Sequence, residues 1–220
     1  MTLAEKTAEQ LTQVIRDRAL GPGDKLPTEK ELCTMLAVGR NTLREALKLL
    51  VSRNAVTIRQ GAGIFVASGR GVADDPLGFS LVADSRKLTA DLMQIRVMIE
   101  PPIAALAAQN ALPEDIDALE RILVRLEAAM SAQGRFTSLD MAFHQRIAEC
   151  THNTVINNLI PVICHGVEAF AREVPQPEYE QTLSSHRRIF EAIRDRRAFD
   201  AESEMRFHIL FNQKRSGQTA

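Results

Sequence analysis

Four residues set the chemical question in this sequence: Asp140, His144, His186 and His208. One carboxylate and three imidazoles are borderline ligands that suit Zn2+, and also Ni2+, Mn2+ or other divalent ions. In the stretch LDMAFHQRIAE (139–149) the Asp and the first His stand four apart, so a helix stacks them one turn above each other. At about 100° per residue they fall on the apolar side, with Leu139, Phe143 and Ile147, rather than with Gln145 and Glu149. His186 lies at the centre of the stripe Leu183, Ile189, Phe190 and Ile193, and His208 within Ala201, Met205, Ile209 and Phe211. A lone inward histidine is usually a hydrogen-bonded core residue. Three of them with an aspartate, left unpaired, would cost about 1–3 kcal/mol each, and a shared metal ion removes that cost.

Arg96 is a fifth inward polar residue, projecting between Leu92, Ile95, Ile99, Ile103 and Leu106. A guanidinium does not shed its proton, so burial requires an anion. Glu100, one turn on, is the local candidate; the carboxylate of a ligand held jointly with the metal is the other. The residues themselves leave both open. His152 falls in a loop signal and His165 at the edge of its stripe, and both stay outside the set.

The elements that must position these groups are helical. From about Ser85 onward, helical periodicity runs through 88–110, 114–132, 136–150, 154–173, 180–196 and 198–214, which predicts an antiparallel six-helix bundle. Pro101-Pro102 interrupts the first of these, and a kink is expected there rather than an end. The first 67 residues read differently. A helix over 4–19 and a turn at GPGD precede LPTEKEL, where Thr28 and Glu31 form a capping box. The helix so started should bury Leu32, Met35 and Leu36. After about three residues RNTLREALKLLVSR begins another, with Leu43, Ala46, Leu47 and Leu50 at core spacing, and two short helices so joined are a helix-turn-helix. VTIRQGAGIFVA then reads as a β-hairpin, completing a winged helix-turn-helix. The fold expected is therefore mainly α: residues 1–67 a winged helix-turn-helix, 68–78 a Gly- and Asp-rich linker, 79–216 the bundle.

Charge supports a division of labour. Residues 1–70 carry 11 Lys and Arg against 7 Asp and Glu, whereas the remainder carries 16 against 21. A basic head on an acidic body fits nucleic-acid binding by the head. Arg40, Asn41, Thr42, Arg44 and Lys48 occupy the non-core faces of the second motif helix. Arg and Asn can read guanine and adenine edges bidentately, while Lys and Thr suit phosphates. Gly61 and Gly63 shape the tip of the wing.

KLPTEKEL followed by VGRNTLREALKLLVSRNAVTIRQGAGIFVA resembles the head of GntR-family transcription regulators. The hallmark residues are Arg40, Arg44-Glu45-Ala46-Leu47 and Gly61–Val66. Gly39 departs from a usual capping Ser and Ala62 from a usual basic residue at the wing tip. The body resembles the FCD (FadR C-terminal) effector domain through QIRVMIEPPIAALAA (94–108), Asp140-x3-His144, CTHNTVINNLI (150–160), HRRIFEAIRD (186–195) and His208. In metal-containing members an Asp and three His hold a divalent ion beneath the effector pocket. The resemblance implies small organic acids as effectors (hydroxy acids, sugar acids or dicarboxylates) and gives Arg96 the carboxylate-binding position.

The reading that follows is a homodimeric, acid-responsive transcription regulator, a repressor, whose two heads read a palindromic duplex. Two rivals use the same residues. One is a metal-dependent hydrolase or lyase, against which no acidic residue is evident as a general base beside the set. The other makes the metal purely structural. No apolar run approaches the roughly 20 residues that span a bilayer. Met1–Arg18 is too polar for a secretory signal, and three cysteines without CxxC spacing fit reduced thiols. A cytoplasmic protein, without membrane contact, is expected.

Overall fold

The computed structural model describes residues 1–67, 72, 75–132, 136–170 and 179–218. The chain divides into two units, Met1–Leu77 and Gly78–Ala220.

In the first unit, α1 (Leu3–Asp17), α2 (Glu29–Leu36) and α3 (Arg40–Ser52) precede β1 (Val56–Arg59) and β2 (Gly63–Val66). The expected capping box is present: the Thr28 side chain accepts from Glu31 N–H while the Glu31 carboxylate accepts from Thr28 N–H. Thr2 and Glu5 repeat the device on α1. Ala37, in a left-handed conformation (φ 53°), ends α2 and turns the chain into α3 within three residues. Gly39 starts α3 with no side-chain cap, as its missing hydroxyl requires. Leu11, Leu32, Leu43, Leu47, Leu50, Val56 and Ile64 form the core. Met35, expected inside, is 44% exposed; α2 is only eight residues long, and Leu32 with half-buried Leu36 suffices to seat it. The two strands pair antiparallel from Val56↔Val66 to Arg59↔Gly63. Gly63 has φ 123°, a backbone conformation that residues with a side chain rarely adopt, which favours glycine there.

Among the described residues of the second unit, a 3-10 turn at Phe79–Leu81 leads to six helices: α4 (Ser85–Asn110), α5 (Pro113–Ser131), α6 (Thr137–Glu149), α7 (Thr154–Phe170), α8 (Tyr179–Arg194) and α9 (Ala198–Gln218). The expected linker, 68–78, lies largely outside the described residues. So do 171–178, which include the expected end of the 154–173 helix. Helix α4 runs through Pro101 and Pro102 and packs along α9, while α8 packs on α9 and α5. The buried face of α4 includes Leu92, Met93, Arg96, Glu100, Ile103, Ala104, Ala107 and Ala108. Ile95, assigned to the core by periodicity, is 42% exposed. The helix is rolled so that its small alanines, rather than Ile95, meet its neighbours. The last carbonyls of α4 have no partner within the helix. Arg196, in the α8–α9 turn, supplies one from outside, its guanidinium donating to Ala108, Gln109 and Ala111 carbonyl oxygens.

Candidate functional site

Helices α6, α8 and α9 bring Asp140, His144, His186 and His208 together. One ligand atom from each lies within 4.8 Å of all the others, and all four residues are buried. The helical stripe explains the placement: Phe143 and Ile147 on α6, Ile189 on α8, and Met205 and Ile209 on α9 are buried beside them. No ordinary core histidine arrangement accounts for this cluster. Asp140 Oδ1, both ring nitrogens of His144 and both of His186 are buried without an aligned hydrogen bond. His186 Nε2 nevertheless approaches Asp140 Oδ1 to 2.9 Å, while His144 Nε2 stands 4.0 Å from Asp140 Oδ2. Orphaned lone pairs converging in an apolar interior are what a divalent cation would satisfy, so the residues fit such an ion.

The charge states agree with that donor set. Burial pushes the Asp140 carboxyl up, but the His186 ring, with His144 and His208, holds it well below the usual carboxylate range. Burial pushes His186 down against the pull of Asp140, and pushes His208 well down with the help of the other two rings. An ionised carboxylate beside imidazoles driven toward the neutral form, as His186 and His208 are, is the form that ligates.

Around the four lies a supporting layer that sequence reasoning did not find. Ser185 Oγ is 2.8 Å from His208 Nδ1, which leaves Nε2 for ligation. Asn212 Nδ2 lies 3.2 Å from that Nε2, a contact that ligation there would displace. On α4, Glu100 Oε1 accepts from Arg96 Nε at 2.5 Å, and Glu100 Oε2 lies 2.6 Å from His144 Nδ1. Burial raises the Glu100 pKa, but the Arg96 guanidinium and the His144 ring outweigh it and set it at about 2. An acidic residue that the sequence pairs only with Arg96 therefore stands beside the set. Its Oε1 is held by Arg96 and its Oε2 lies against the His144 ring without an aligned hydrogen bond, so it faces a cation and a prospective ligand rather than open space for a substrate. The signal for it was the Arg96–Glu100 i, i+4 spacing; the contact with His144 comes from packing between helices.

Arg96 thus has the internal partner that sequence allowed, yet not for its whole fork. Among the described residues its Nη2 is buried with no hydrogen-bond partner, and its Nη1 reaches Met93 Sδ, at 3.8 Å. Burial alone would lower its pKa, and Glu100 raises it beyond the ordinary value, so the cation is permanent. The excluded histidines are accounted for. His165 is exposed. His152 Nε2 lies 2.8 Å from Asp115 Oδ2, whose other oxygen accepts from Arg146 Nη2 at 2.6 Å. That cluster ties the start of α5 to the end of α6.

In the first unit, α3 exposes Arg40, Asn41, Arg44 and Lys48 and half-exposes Thr42. Arg44 Nε donates to Glu29 of α2 at 3.2 Å, and Lys48 Nζ to Glu45 at 2.8 Å. Gly61 (φ 73°) and Gly63 form the wing turn, and Arg59 stacks 4.6 Å above the Phe65 ring. A basic helix face beside a short hairpin has the donors for phosphates and base edges.

Comparison with known proteins covers both units. The model of bacterial regulatory proteins of the gntR family matches residues 3–66, and the FCD domain model matches 91–211. The Uxu operon transcriptional regulator of Escherichia coli (strain K12) is 36% identical over 72% of this chain, and the match spans 63% of that relative's length. The Galactonate operon transcriptional repressor of the same organism is 29% identical, with 79% of each chain covered. Among solved structures, that titled Streptococcus agalactiae GntR superposes with a TM-score of 0.84 at 36% identity, covering 96% of this chain and 99% of the other.

Proposed function

This chain belongs to the gntR family of bacterial regulatory proteins, with a C-terminal FCD domain, and from that premise we propose that it is a metal-dependent sensor of small organic acids that represses transcription. DNA binding and regulation come with the family, whose members and relatives are regulators rather than enzymes. The sensing chemistry rests on one observation: a buried carboxylate and three imidazoles with orphaned ligand atoms, linked through Glu100 to a buried arginine with an unpaired Nη2.

Asp140, His144, His186 and His208 would hold the ion, with Zn2+ the best match to three nitrogens and one oxygen and Ni2+ or Mn2+ as alternatives. The ion, when bound, supplies a Lewis-acidic position for a carboxylate or hydroxyl oxygen. Arg96 supplies the fixed positive charge and a planar donor edge for the acid's carboxylate. A sugar acid, hydroxy acid or dicarboxylate carries the groups that both could bind at once. The galactonate name of one relative fits that class.

In the head, Arg40, Asn41, Thr42, Arg44 and Lys48 are the residues for duplex contact, with Gly61 and Gly63 allowing the wing turn to approach the backbone. Two heads in a homodimer would read a palindromic operator. The acid alters DNA affinity only insofar as it binds one arrangement of the protein better than the other. The test is selection of duplexes from a random library by the full-length protein, followed by anisotropy titrations with a panel of sugar acids, hydroxy acids and dicarboxylates. Enrichment of a palindrome whose affinity falls with one class of acid is expected. Enrichment without response to any acid defeats the sensor reading, and no enrichment defeats the operator reading.

A further inference from the structure

Glu100 is the group that the metal reading does not use, and its surroundings are unusual. It is buried at 3% exposure in the middle of α4, and its two oxygens face two different elements of the site. Oε1 accepts from Arg96 Nε at 2.5 Å, and Oε2 lies 2.6 Å from Nδ1 of His144 on α6. Neither atom has an aligned hydrogen-bond partner among the described residues, but at 2.6 Å they are near enough for a charge-assisted N–H···O bond once the ring turns to face the carboxylate.

We infer that Glu100 is the positioning residue of the metal centre: bridging Arg96 and His144, it holds the His144 ring with its proton on Nδ1 and its Nε2 lone pair toward Asp140. The inference rests on the metal reading above and adds a residue that ligates nothing. Imidazole offers a metal whichever nitrogen lacks the proton, and the partner of the other nitrogen decides which that is. His208 has Ser185 for this purpose. His144 has only Glu100, an ionic partner, which also makes the ring a better donor. The arginine completes the device. Without Arg96 on Oε1, the carboxylate would be free to turn away from the ring or to take up a proton. The acid-binding guanidinium and the metal ligand are therefore joined through one side chain, so a change at either is felt at the other.

The geometry dictates the test. In Glu100→Gln a single carbonyl oxygen must serve two N–H donors, and the amide nitrogen then faces one of them. Zn2+ affinity, measured on full-length protein by competition with a chromophoric chelator, should fall about 10–100-fold, the range for loss of such an outer-shell partner. The His144 ring should lose its fixed Nδ1–H signal in long-range 15N–1H spectra of the zinc-loaded protein. Because Gln leaves Arg96 partly unpaired, the double variant Arg96→Met/Glu100→Leu, which replaces the ion pair by apolar groups, serves as a second probe. It should keep the thermal transition of the bundle and still bind Zn2+ at least tenfold more weakly than wild type. The inference is overturned if either variant binds Zn2+ within threefold of wild type, or if His144 carries its proton on Nε2. Those outcomes leave the metal reading standing, provided that wild type binds one equivalent and His144→Ala does not. Absence of stoichiometric binding by wild type overturns both.

Discussion

Loading and stripping the metal should move the melting temperature of the bundle by an amount that can be worked out in advance. Asp140 Oδ1, His144 Nε2 and the ring nitrogens of His186 are buried without aligned hydrogen bonds, and each such group costs about 1–3 kcal/mol while unpaired. An ion that binds only the folded chain contributes RT ln(1 + [L]/Kd), about 4 kcal/mol at a thousandfold excess over Kd. For a unit the size of Gly78–Ala220, each kcal/mol shifts the transition by about 3 °C, so the expected rise is roughly 12 °C. The assay is differential scanning calorimetry of full-length protein with Zn2+ and with a chelator. In His144→Ala the shift should vanish, because a ligand is gone and Glu100 Oε2 faces the space it leaves. The transition of the head should not move in any of these samples, since its core shares no residue with the site. Equal melting of wild type with zinc and with chelator would refute the reasoning, as would an undiminished zinc shift in His144→Ala.

Three further outcomes follow from local contacts. Arg196→Ala removes the donors to two α4 carbonyls and to that of Ala111 just beyond it and should destabilise the bundle by about 1–3 kcal/mol, read as a lower urea midpoint with unchanged Zn2+ affinity. Asp115 is pushed up by burial but lowered more by Leu112 N–H, His152 and Arg146; a depressed carboxylate stabilises above its unfolded pKa and loses that contribution as pH falls through the folded one. Asp115→Asn should accordingly lower the urea midpoint at pH 7, with the gap to wild type narrowing below about pH 4. Glu29→Gln frees Arg44 and removes a negative charge next to it, so affinity for random duplex in the anisotropy assay should rise and its salt dependence steepen by about one ion.

The four ligands were legible because polar residues in apolar stripes are loud: each of Asp140, His144, His186 and His208 breaks a 3.6-residue pattern, and all four prove to be buried together. The helix-turn-helix was equally legible, since its capping box, tight turn and hairpin are local. Failures came where packing between helices decides. Ile95 belongs to the apolar pattern of α4 but not to its buried face, because Ala104, Ala107 and Ala108 let that helix lie close to its neighbours. Alanine carries little weight on a helical wheel. Glu100 was legible as the partner of Arg96, one turn away, but not as the partner of His144, 44 positions along the chain and on another helix. Ser185 and Asn212 gave no signal at all, being unremarkable polar residues until α8 and α9 are packed. His152 was set aside as a loop residue, and a positive φ of 55° does place it in a turn, where it meets Asp115.

The central claim is that acid sensing and metal binding are one event, and a single matrix of titrations tests it most directly. Anisotropy of a labelled duplex, enriched by selection, would be measured with wild-type protein against a panel of sugar acids, each with added Zn2+ and with chelator. The account predicts that one class of acid weakens duplex binding in the presence of Zn2+ and has no effect with chelator, and that Arg96→Met abolishes the response seen with Zn2+. An acid response of the same size with and without the metal would contradict it.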